Sequence, residues 1–171
     1  EIDLSVGAIM NLSMSVGALA VTAGRPTLGF LLTLLIGLLL GTLNGVVIAK
    51  TRVASLMITL GMASVYNGLA NIVANGQAVY LYEAPVYLYL GKESTAGIPN
   101  PVIVFLIIIL IFIFITKCTK FGRELYFTGA NVRAAYLSGI NTDVIKVAAF
   151  ALCGLLAAFS GPMLAATVNR T

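Results

Sequence analysis

Five apolar segments, each close to the length of a membrane-spanning helix, constrain the fold of this sequence more than any other feature. They occupy residues 4–22, 28–49, 54–73, 98–116 and 144–168. A helix needs about 20 apolar residues to cross about 30 Å of hydrocarbon. With 60% hydrophobic residues, 9% charged residues and a mean hydropathy of +1.04, the chain lies outside the range of soluble domains. We predict an all-α membrane protein, a polytopic transmembrane helix bundle with about five spans.

Lysine and arginine are distributed unevenly between the two sides that five spans define. Arg25, Lys92 and Arg170 lie on one side. The other side holds the remaining basic residues: Lys50, Arg52, Lys117, Lys120, Arg123, Arg133 and Lys146. Because basic residues favour the cytoplasmic side, we expect the loop 117–143 in the cytoplasm and the loop 74–97 outside. Orientation in a lipid bilayer therefore explains the net charge of +4 without a nucleic-acid partner.

Several classes of chemistry lack their residues in this sequence. Histidine is absent, which removes imidazole base catalysis and most transition-metal sites. Cys118 and Cys153 have no metal-site spacing, and we expect both to be free thiols. No Walker A sequence, Gly-x-Ser-x-Gly elbow or His-Glu-x-x-His sequence occurs. We predict that this chain is not an enzyme and holds no catalytic residue, metal or cofactor.

Polar residues recur every four positions in the first span. Asp3, Gly7, Asn11 and Ser15 form one stripe, and such a stripe usually faces protein or water instead of lipid. Asp3 is the only carboxylate near a polar stripe, and a lone carboxylate at the start of a span is more typical of a cap than of a proton relay. Asn11 is a candidate for a translocation pathway.

The third span carries two pairs of polar side chains. Ser55 and Thr59 are four residues apart, as are Asn67 and Asn71, and all four are expected near one face. The two amides are more informative, because hydroxyls can bond their own helix backbone. Interhelical hydrogen bonding and a polar pathway remain equally good explanations for Asn67 and Asn71.

Glycine repeats every four residues in the second span, at Gly37, Gly41 and Gly45. A ridge of small residues lets another helix approach closely, so a role in helix packing is favoured over binding a ligand. Asn44 lies beside this ridge and is kept as a further pathway candidate.

The region 119–140 is a polar and basic island between the fourth and fifth spans. Asn131 is a good N-cap for a short helix over 132–138, and Gly139 suits the left-handed residue that ends it. A helix this short is marginal by itself in water. We therefore expect its apolar side, formed by Val132, Ala135 and Tyr136, to rest on lipid headgroups or on another protein.

The connection 74–97 contains two pairs of tyrosines: Tyr80 and Tyr82, then Tyr87 and Tyr89. Tyrosine prefers the membrane interface. We expect an interfacial, partly irregular or re-entrant segment, although the Tyr-Leu-Tyr alternation also fits a short strand. Residues 102–115 that follow are apolar on every side and predict a lipid-facing helix.

Three motifs resemble, in order, those of the permease subunits of bacterial ABC importers for monosaccharides, of the ribose permease type. The first is Ile2-Asp3-Leu4-Ser5-Val6-Gly7, and the second is Gly97-Ile98-Pro99-Asn100-Pro101-Val102. The third is Phe121-Gly122-Arg123 followed by Gly129-x-Asn131-x-x-Ala134-Ala135-x-x-Ser138-Gly139-Ile140. Glu1 stands where the family commonly has glycine, and the chain holds about half of the family's spans.

The resemblance implies an excerpt of a permease of about ten spans in the bacterial cytoplasmic (inner) membrane. It implies three partners: a cytoplasmic ABC ATPase, an extracytoplasmic sugar-binding protein, and a second permease copy or paralogue. It also implies that the island supplies the helix that couples the permease to the ATPase. The coupling candidates are Gly129, Asn131, Arg133, Ala134, Ala135, Ser138 and Gly139.

These observations favour an importer of a monosaccharide or sugar-like solute, driven by ATP hydrolysis on a partner chain. The alternative is a secondary transporter driven by an ion gradient, for which only Asp3 and its stripe provide an ionisable group. An intramembrane enzyme is disfavoured by the lack of histidine and of clustered carboxylates. Without the resemblance, the island would be interpreted as an ordinary capped loop with a basic orientation signal. The amides Asn11, Asn44, Asn67 and Asn71 would line the sugar's route.

Overall fold

Eight helices and one small hairpin make up the part of the chain described by the computed structural model, residues 1–51, 53–77 and 85–168. The elements are α1 (Val6–Thr22), α2 (Pro26–Thr51), α3 (Ser55–Val73), α4 (Pro85–Gly91), β1 (Ser94–Thr95), β2 (Ile98–Pro99), α5 (Asn100–Cys118), α6 (Lys120–Ala130), α7 (Val132–Leu137) and α8 (Thr142–Val168). Arg52 and Arg170, two of the predicted orientation signals, lie outside the described residues.

Each of the five apolar segments forms a helix, which confirms the all-α membrane fold class. Among the described residues, α2, α3, α5 and α8 are long and apolar enough to cross a membrane. The first apolar helix, α1, is shorter, with 17 residues. The fourth segment begins later than predicted, because Ile98 and Pro99 form strand β2 and pair antiparallel with β1.

The closest packing in the fold is between α2 and α8. A Cβ atom added to Gly37 would lie 2.6 Å from the carbonyl oxygen of Gly154, and one added to Gly41 would lie 3.0 Å from the Cα atom of Gly154. The Cβ position of Gly45 is 2.7 Å from the Cα atom of Val147. All three glycines therefore face α8, and no larger side chain fits between the two backbones at these positions.

Helix α1 lies against α2, α3 and α8 and fills the centre of the bundle. Its buried residues Ala8, Ile9 and Leu12 form an apolar cluster with Tyr66 and Ala70 of α3 and with Ala157 of α8. Because lipid is as apolar as these side chains, van der Waals packing between the helices, and not removal from water, stabilises this contact in a bilayer. The cluster holds α1 and α3 side by side.

The short helix α4 corrects the strand alternative for residues 87–89. Pro85 is the first residue of α4, where the missing N–H and the fixed φ angle of proline favour a helix. Tyr87 is buried, and its ring meets Phe30 edge to face at a centroid distance of 6.0 Å. Burial raises the pKa of the Tyr87 phenol. Tyr80 and Tyr82, the other predicted interface tyrosines, lie outside the described residues.

Helix α5 leaves almost its whole surface uncovered within the described part of the chain. Asn100, at its start, is the one buried residue of α5. The Asn100 side chain donates to the carbonyl oxygen of Tyr89 at 2.6 Å and accepts from the Thr95 hydroxyl at 2.7 Å. Two hydrogen bonds thus fix the beginning of a helix whose remaining length is apolar and exposed.

Helix α6, like α4 and the small hairpin, is an element that the sequence pattern does not predict. Its N-cap is Thr119, whose hydroxyl oxygen accepts from the Gly122 amide at 3.1 Å. Two glycines, Gly122 and Gly129, weaken the intrinsic helix preference of this stretch by about 1 kcal/mol each. Gly122 is buried against the backbone of Thr116, near the end of α5, so tertiary packing stabilises a helix where local preference is weak.

Candidate functional site

The predicted coupling loop contains a short helix, α7, that is capped at both ends. Asn131 accepts a hydrogen bond from the Ala134 amide at 3.0 Å, which makes it the N-cap. At the other end, the Ser138 hydroxyl donates to the Ala134 carbonyl oxygen at 2.9 Å. Gly139 has a φ angle of +80°, the left-handed conformation that glycine adopts without strain. These contacts define a helix of 6 residues.

Helix α7 buries one side chain against the described part of the chain and leaves the rest of its apolar side uncovered. Ala135 is fully buried, whereas Val132 is 44% exposed and Tyr136 is 70% exposed. Leu137 is 77% exposed, and Arg133 is exposed as well. Within this chain α7 rests on α6 and α8 through one small residue, and that lipid headgroups or another protein cover its apolar side stays a prediction. Its larger apolar side chains are left on the outer surface, together with a cation.

The remaining coupling candidates lie around this helix. Gly129 is exposed in the last turn of α6, with open space at its Cβ position. Ala134 is half-buried, and Ser138 and Gly139 are exposed. The structure therefore brings all seven candidates together in one small surface, with Ala135 beneath it.

A cleft of about 1030 Å³ separates α7 from the turn between α2 and α3. Its walls include Arg133 and Tyr136 of α7 on one side and Ala49 and Val53 on the other. Asp143 in the first turn of α8 also lines it. Because this side of α7 is not packed, the helix is supported mainly from α6 and α8.

Three of the four pathway candidates lie on a polar surface shared by α1 and α3. The Asn11 side-chain amide donates to Oδ1 of Asn67 at 3.2 Å, and both residues are exposed. One helical turn further along α3, exposed Asn71 lines a small cavity of about 170 Å³ together with Asn11 and Ser15. The structure thus joins the stripe of the first span to the amides of the third.

Asn44 lies apart from this surface and is fully buried. Its side-chain amide donates to the Ser5 hydroxyl oxygen at 2.7 Å, and its Oδ1 atom accepts from the Tyr66 hydroxyl at 2.8 Å. Ser5 in turn donates from its hydroxyl to Oδ1 of Asp3 at 2.6 Å. Four residues from three parts of the chain therefore form one buried hydrogen-bond network, which we call the Asn44 network.

The position of Tyr66 corrects the single polar face expected for α3. Its buried face contains Thr59, Tyr66 and Ala70. At 3.6 residues per turn, Asn67 and Asn71 are rotated about 80° and 120° from Thr59, so they fall on the exposed side. The seven-residue spacing from Thr59 to Tyr66 is a sequence signal that could have identified Tyr66 as a network member.

No group of three or more His, Cys, Asp or Glu residues able to hold a metal is found in the ranges 1–51, 53–77 and 85–168. The polar groups on the α1–α3 surface are amides, which bind neutral hydrogen-bonding ligands. The arrangement can therefore offer hydrogen bonds to a polar solute, and α7 can offer an apolar and basic surface to a protein.

Comparisons with known proteins agree on one class. The family described as "Branched-chain amino acid transport system / permease component" matches residues 1–171. The chain is 38% identical over 170 residues to the L-arabinose ABC transporter permease protein AraH of Azospirillum brasilense, covering 99% of this chain and 50% of that protein. It is 35% identical over 164 residues to the ribose import permease protein RbsC of Haemophilus influenzae, covering 94% of this chain and 51% of that protein.

A third similar protein is the galactofuranose transporter permease protein YtfT of Escherichia coli. The chain is 32% identical to it over 174 residues, covering 98% of this chain and 49% of YtfT. The chain thus spans about half the length of the curated relatives that it matches. No solved structure matches the chain at a significant level.

Proposed function

The chain belongs to the family of transport-system permease components, and on that premise we propose that it forms part of the permease of an ATP-driven importer for a monosaccharide or sugar-like solute. The observation that carries this proposal is the similarity, over nearly the whole chain, to permeases named for arabinose, ribose and galactofuranose. These three names have sugar transport in common. None of the three is named as a transporter driven by an ion gradient.

The chain is part of a multi-pass membrane protein, and we assign it to the cytoplasmic (inner) membrane of a bacterium. Its proposed partners are a cytoplasmic ABC ATPase, an extracytoplasmic sugar-binding protein, and a second permease copy or paralogue. ATP hydrolysis takes place on the ATPase chain. The permease supplies alternating access across the lipid bilayer.

We assign the coupling to the ATPase to the surface around α7. Arg133, Tyr136 and Leu137 are exposed on it, and this combination of a cation, an aromatic ring and an aliphatic side chain suits a protein interface. Ala135 has no exposed surface, so it supports α7 from below and does not itself contact the partner. Asn131, Ser138 and Gly139 fix the ends of the helix.

We assign the sugar's route to the polar surface of α1 and α3. Asn11, Asn67 and Asn71 are exposed there within apolar helices, where lipid would leave their amides without hydrogen bonds. A sugar hydroxyl can donate to and accept from such amides. Asn44 is fully buried in its network, so its role is to hold helices together.

The test of the proposed function is uptake by the full-length protein, expressed with the ATPase and the binding protein from its own operon. Cells deleted for these chains would be supplied in turn with labelled D-ribose, L-arabinose and D-allose. We expect saturable uptake of at least one sugar, lost when the catalytic glutamate of the ATPase is replaced. Uptake that continues without ATP but stops when an ionophore dissipates the ion gradient would contradict the proposal.

A further inference from the structure

A second cavity lies beside the candidate coupling surface, between the residues preceding α1 and helices α6 and α8. Its volume is about 330 Å³. Six of its lining residues matter here: Asp3, Leu125, Thr128, Lys146, Phe150 and Cys153. The orientation given above puts this cavity at the cytoplasmic end of the bundle. Gly129, one of the coupling candidates, also lines it, whereas Asn11, Asn44, Asn67 and Asn71 do not.

Two polar atoms at this cavity have no hydrogen-bond partner among the described residues. The Oδ1 atom of Asp3 accepts from the Ser5 amide and hydroxyl; its Oδ2 atom is buried without a hydrogen bond of good geometry, although the Asp3 carboxylate lies beside the Cys153 thiol. The hydroxyl of Thr128 is also buried and unpaired, although this residue is only 5% exposed. Buried polar groups without partners are rare in folded proteins, so two of them at one cavity require an explanation.

Thr128 differs from other threonines in the helices of this chain. The hydroxyls of Thr33, Thr42 and Thr116 each donate to the backbone carbonyl oxygen four residues earlier, at 2.7–2.9 Å. That bond satisfies a hydroxyl inside a helix without any outside partner. The Thr128 hydroxyl makes no such bond, so its donor and its acceptors have no partner among the described residues.

The size and lining of the cavity select the kind of ligand. A volume of about 330 Å³ is far more than one ion or one water molecule needs, and it falls at the small end of pockets for organic ligands. A Ca²⁺-like cation would need about six to eight oxygen ligands. The cavity offers two carboxylates, Asp3 and Glu1, and Oε1 of Glu1 is already paired with the Lys146 ammonium group at 2.9 Å.

We propose that this cavity binds a neutral polyhydroxylated solute of monosaccharide size on the cytoplasmic side of the membrane. Hydroxyl groups of such a ligand would donate to Oδ2 of Asp3 and would exchange hydrogen bonds with Thr128. The apolar wall, including Leu125 and Phe150, would cover its C–H faces. The inference rests on the proposed function for its orientation and for the choice of a sugar as ligand.

Ligand contact requires a small rearrangement of the wall. The two unpaired oxygens are covered in the present arrangement, so at least one side chain has to rotate to reach a ligand. Threonine in a helix is divided between two χ1 rotamers, unlike valine and isoleucine. The proposal therefore requires Thr128 to rotate between these rotamers so that its hydroxyl reaches the ligand.

Cys153 provides a direct readout, because its thiol lines the cavity while Cys118 is exposed elsewhere. The full-length protein in nanodiscs, without ATP or partners, would be alkylated with N-ethylmaleimide. The rate at each cysteine would be followed by mass spectrometry of its peptide. We expect D-ribose or L-arabinose to slow the alkylation of Cys153 in a saturable manner and to leave Cys118 unchanged.

Variants of two threonines connect this protection to the proposed site. Thr128→Val removes the unpaired hydroxyl at nearly constant volume. The sugar concentration that gives half-maximal protection of Cys153 should rise about threefold to tenfold in this variant. Thr116→Val is the matched control, because the Thr116 hydroxyl already bonds the Phe112 carbonyl oxygen, and it should have no effect.

Three results would overturn the site. The first is equal protection in the Thr128→Val protein, and the second is protection by glycerol but by neither sugar. The third is a Cys153 thiol that does not react, or whose alkylation is slowed by no sugar. Because the measurement needs no transport, it separates the two proposals. Normal sugar uptake without protection rejects this site alone, and protection without ATP-driven uptake rejects the importer alone.

Discussion

The hydroxyl of Tyr66, on α3, donates a hydrogen bond to Oδ1 of Asn44, on α2, across 2.8 Å in a fully buried setting. The same asparagine donates to Ser5, just before α1. A single buried amide thus connects α2 to α3 and to the residue just before α1. Leaving a buried amide half satisfied costs more than the hydrogen bond itself contributes.

Tyr66→Phe is expected to lower the free energy of unfolding by about 1–3 kcal/mol, because Oδ1 of Asn44 loses its hydroxyl donor inside the fold. Denaturant unfolding of the full-length protein in detergent measures the change. Tyr136→Phe, at a residue that is 70% exposed, is the matched control and should have little effect. Equal stability of the two variants would show that the Asn44 network does not hold the fold together.

Gly41→Leu is expected to destabilise the bundle by about 1–3 kcal/mol or more, because α2 and α8 would be forced apart. The Cβ position of Gly41 is 3.0 Å from the Cα atom of Gly154. Gly61→Leu, on the open side of α3, meets nothing within 4 Å and should be tolerated. Thermal melting and the size-exclusion profile of each variant test this, and a well-folded Gly41→Leu protein would contradict the packing.

Two substitutions in α7 should impair the protein in different ways, one by weakening ATPase binding and the other by destabilising the fold. Leu137→Asp changes a side chain that is 77% exposed and should reduce co-purification with the ATPase while the melting temperature stays unchanged. Ala135→Asp buries a carboxylate beneath α7 and should lower the melting temperature itself. Pull-down in mild detergent with a melting curve separates the two effects. Full ATPase recovery by Leu137→Asp would argue against this face as the contact.

Asn67→Leu is expected to lower sugar uptake while leaving assembly with the ATPase intact, because it removes an exposed amide from the proposed route. Uptake of labelled sugar and ATPase pull-down are measured on the same cells. Ser64→Ala is the control, since the Ser64 hydroxyl only contacts the Leu60 carbonyl oxygen of its own helix. If assembly is lost along with uptake, the Asn11–Asn67 contact is a packing contact and not part of a pathway.

Hydropathy predicts the helices of this chain well, because membrane-length apolar segments have few other solutions. It fails at α6, where two glycines weaken the local preference and burial of Gly122 against α5 supplies the stabilisation. Hydropathy also does not show that Asn44 is buried whereas Asn67 is exposed. Which amide is buried depends on the approach of α1 and α3, and a sequence pattern within one helix carries no information about that approach.

The position of α7 and both of its ends were predictable from the sequence. Asn131 and Gly139 mark the ends of α7 by cap chemistry alone, and both act as expected. Cap chemistry does not show how α6 and α8 meet, and that arrangement is what buries Ala135 within this chain. That lipid headgroups or another protein cover Val132 and Tyr136 stays a prediction.

The Asn44 network has a mechanical consequence for any transport cycle. Since it ties the start of α1 to α2 and α3, and since glycines join α2 closely to α8, these four helices should move as one rigid body. The Asn11–Asn67 pair would then keep its geometry between the two access states. Spin labels on α1 and α3 should report the same distance with and without ATP. Labels on α5, which is scarcely packed, should move relative to them. A changed α1–α3 distance would show that the change between access states takes place within this four-helix unit.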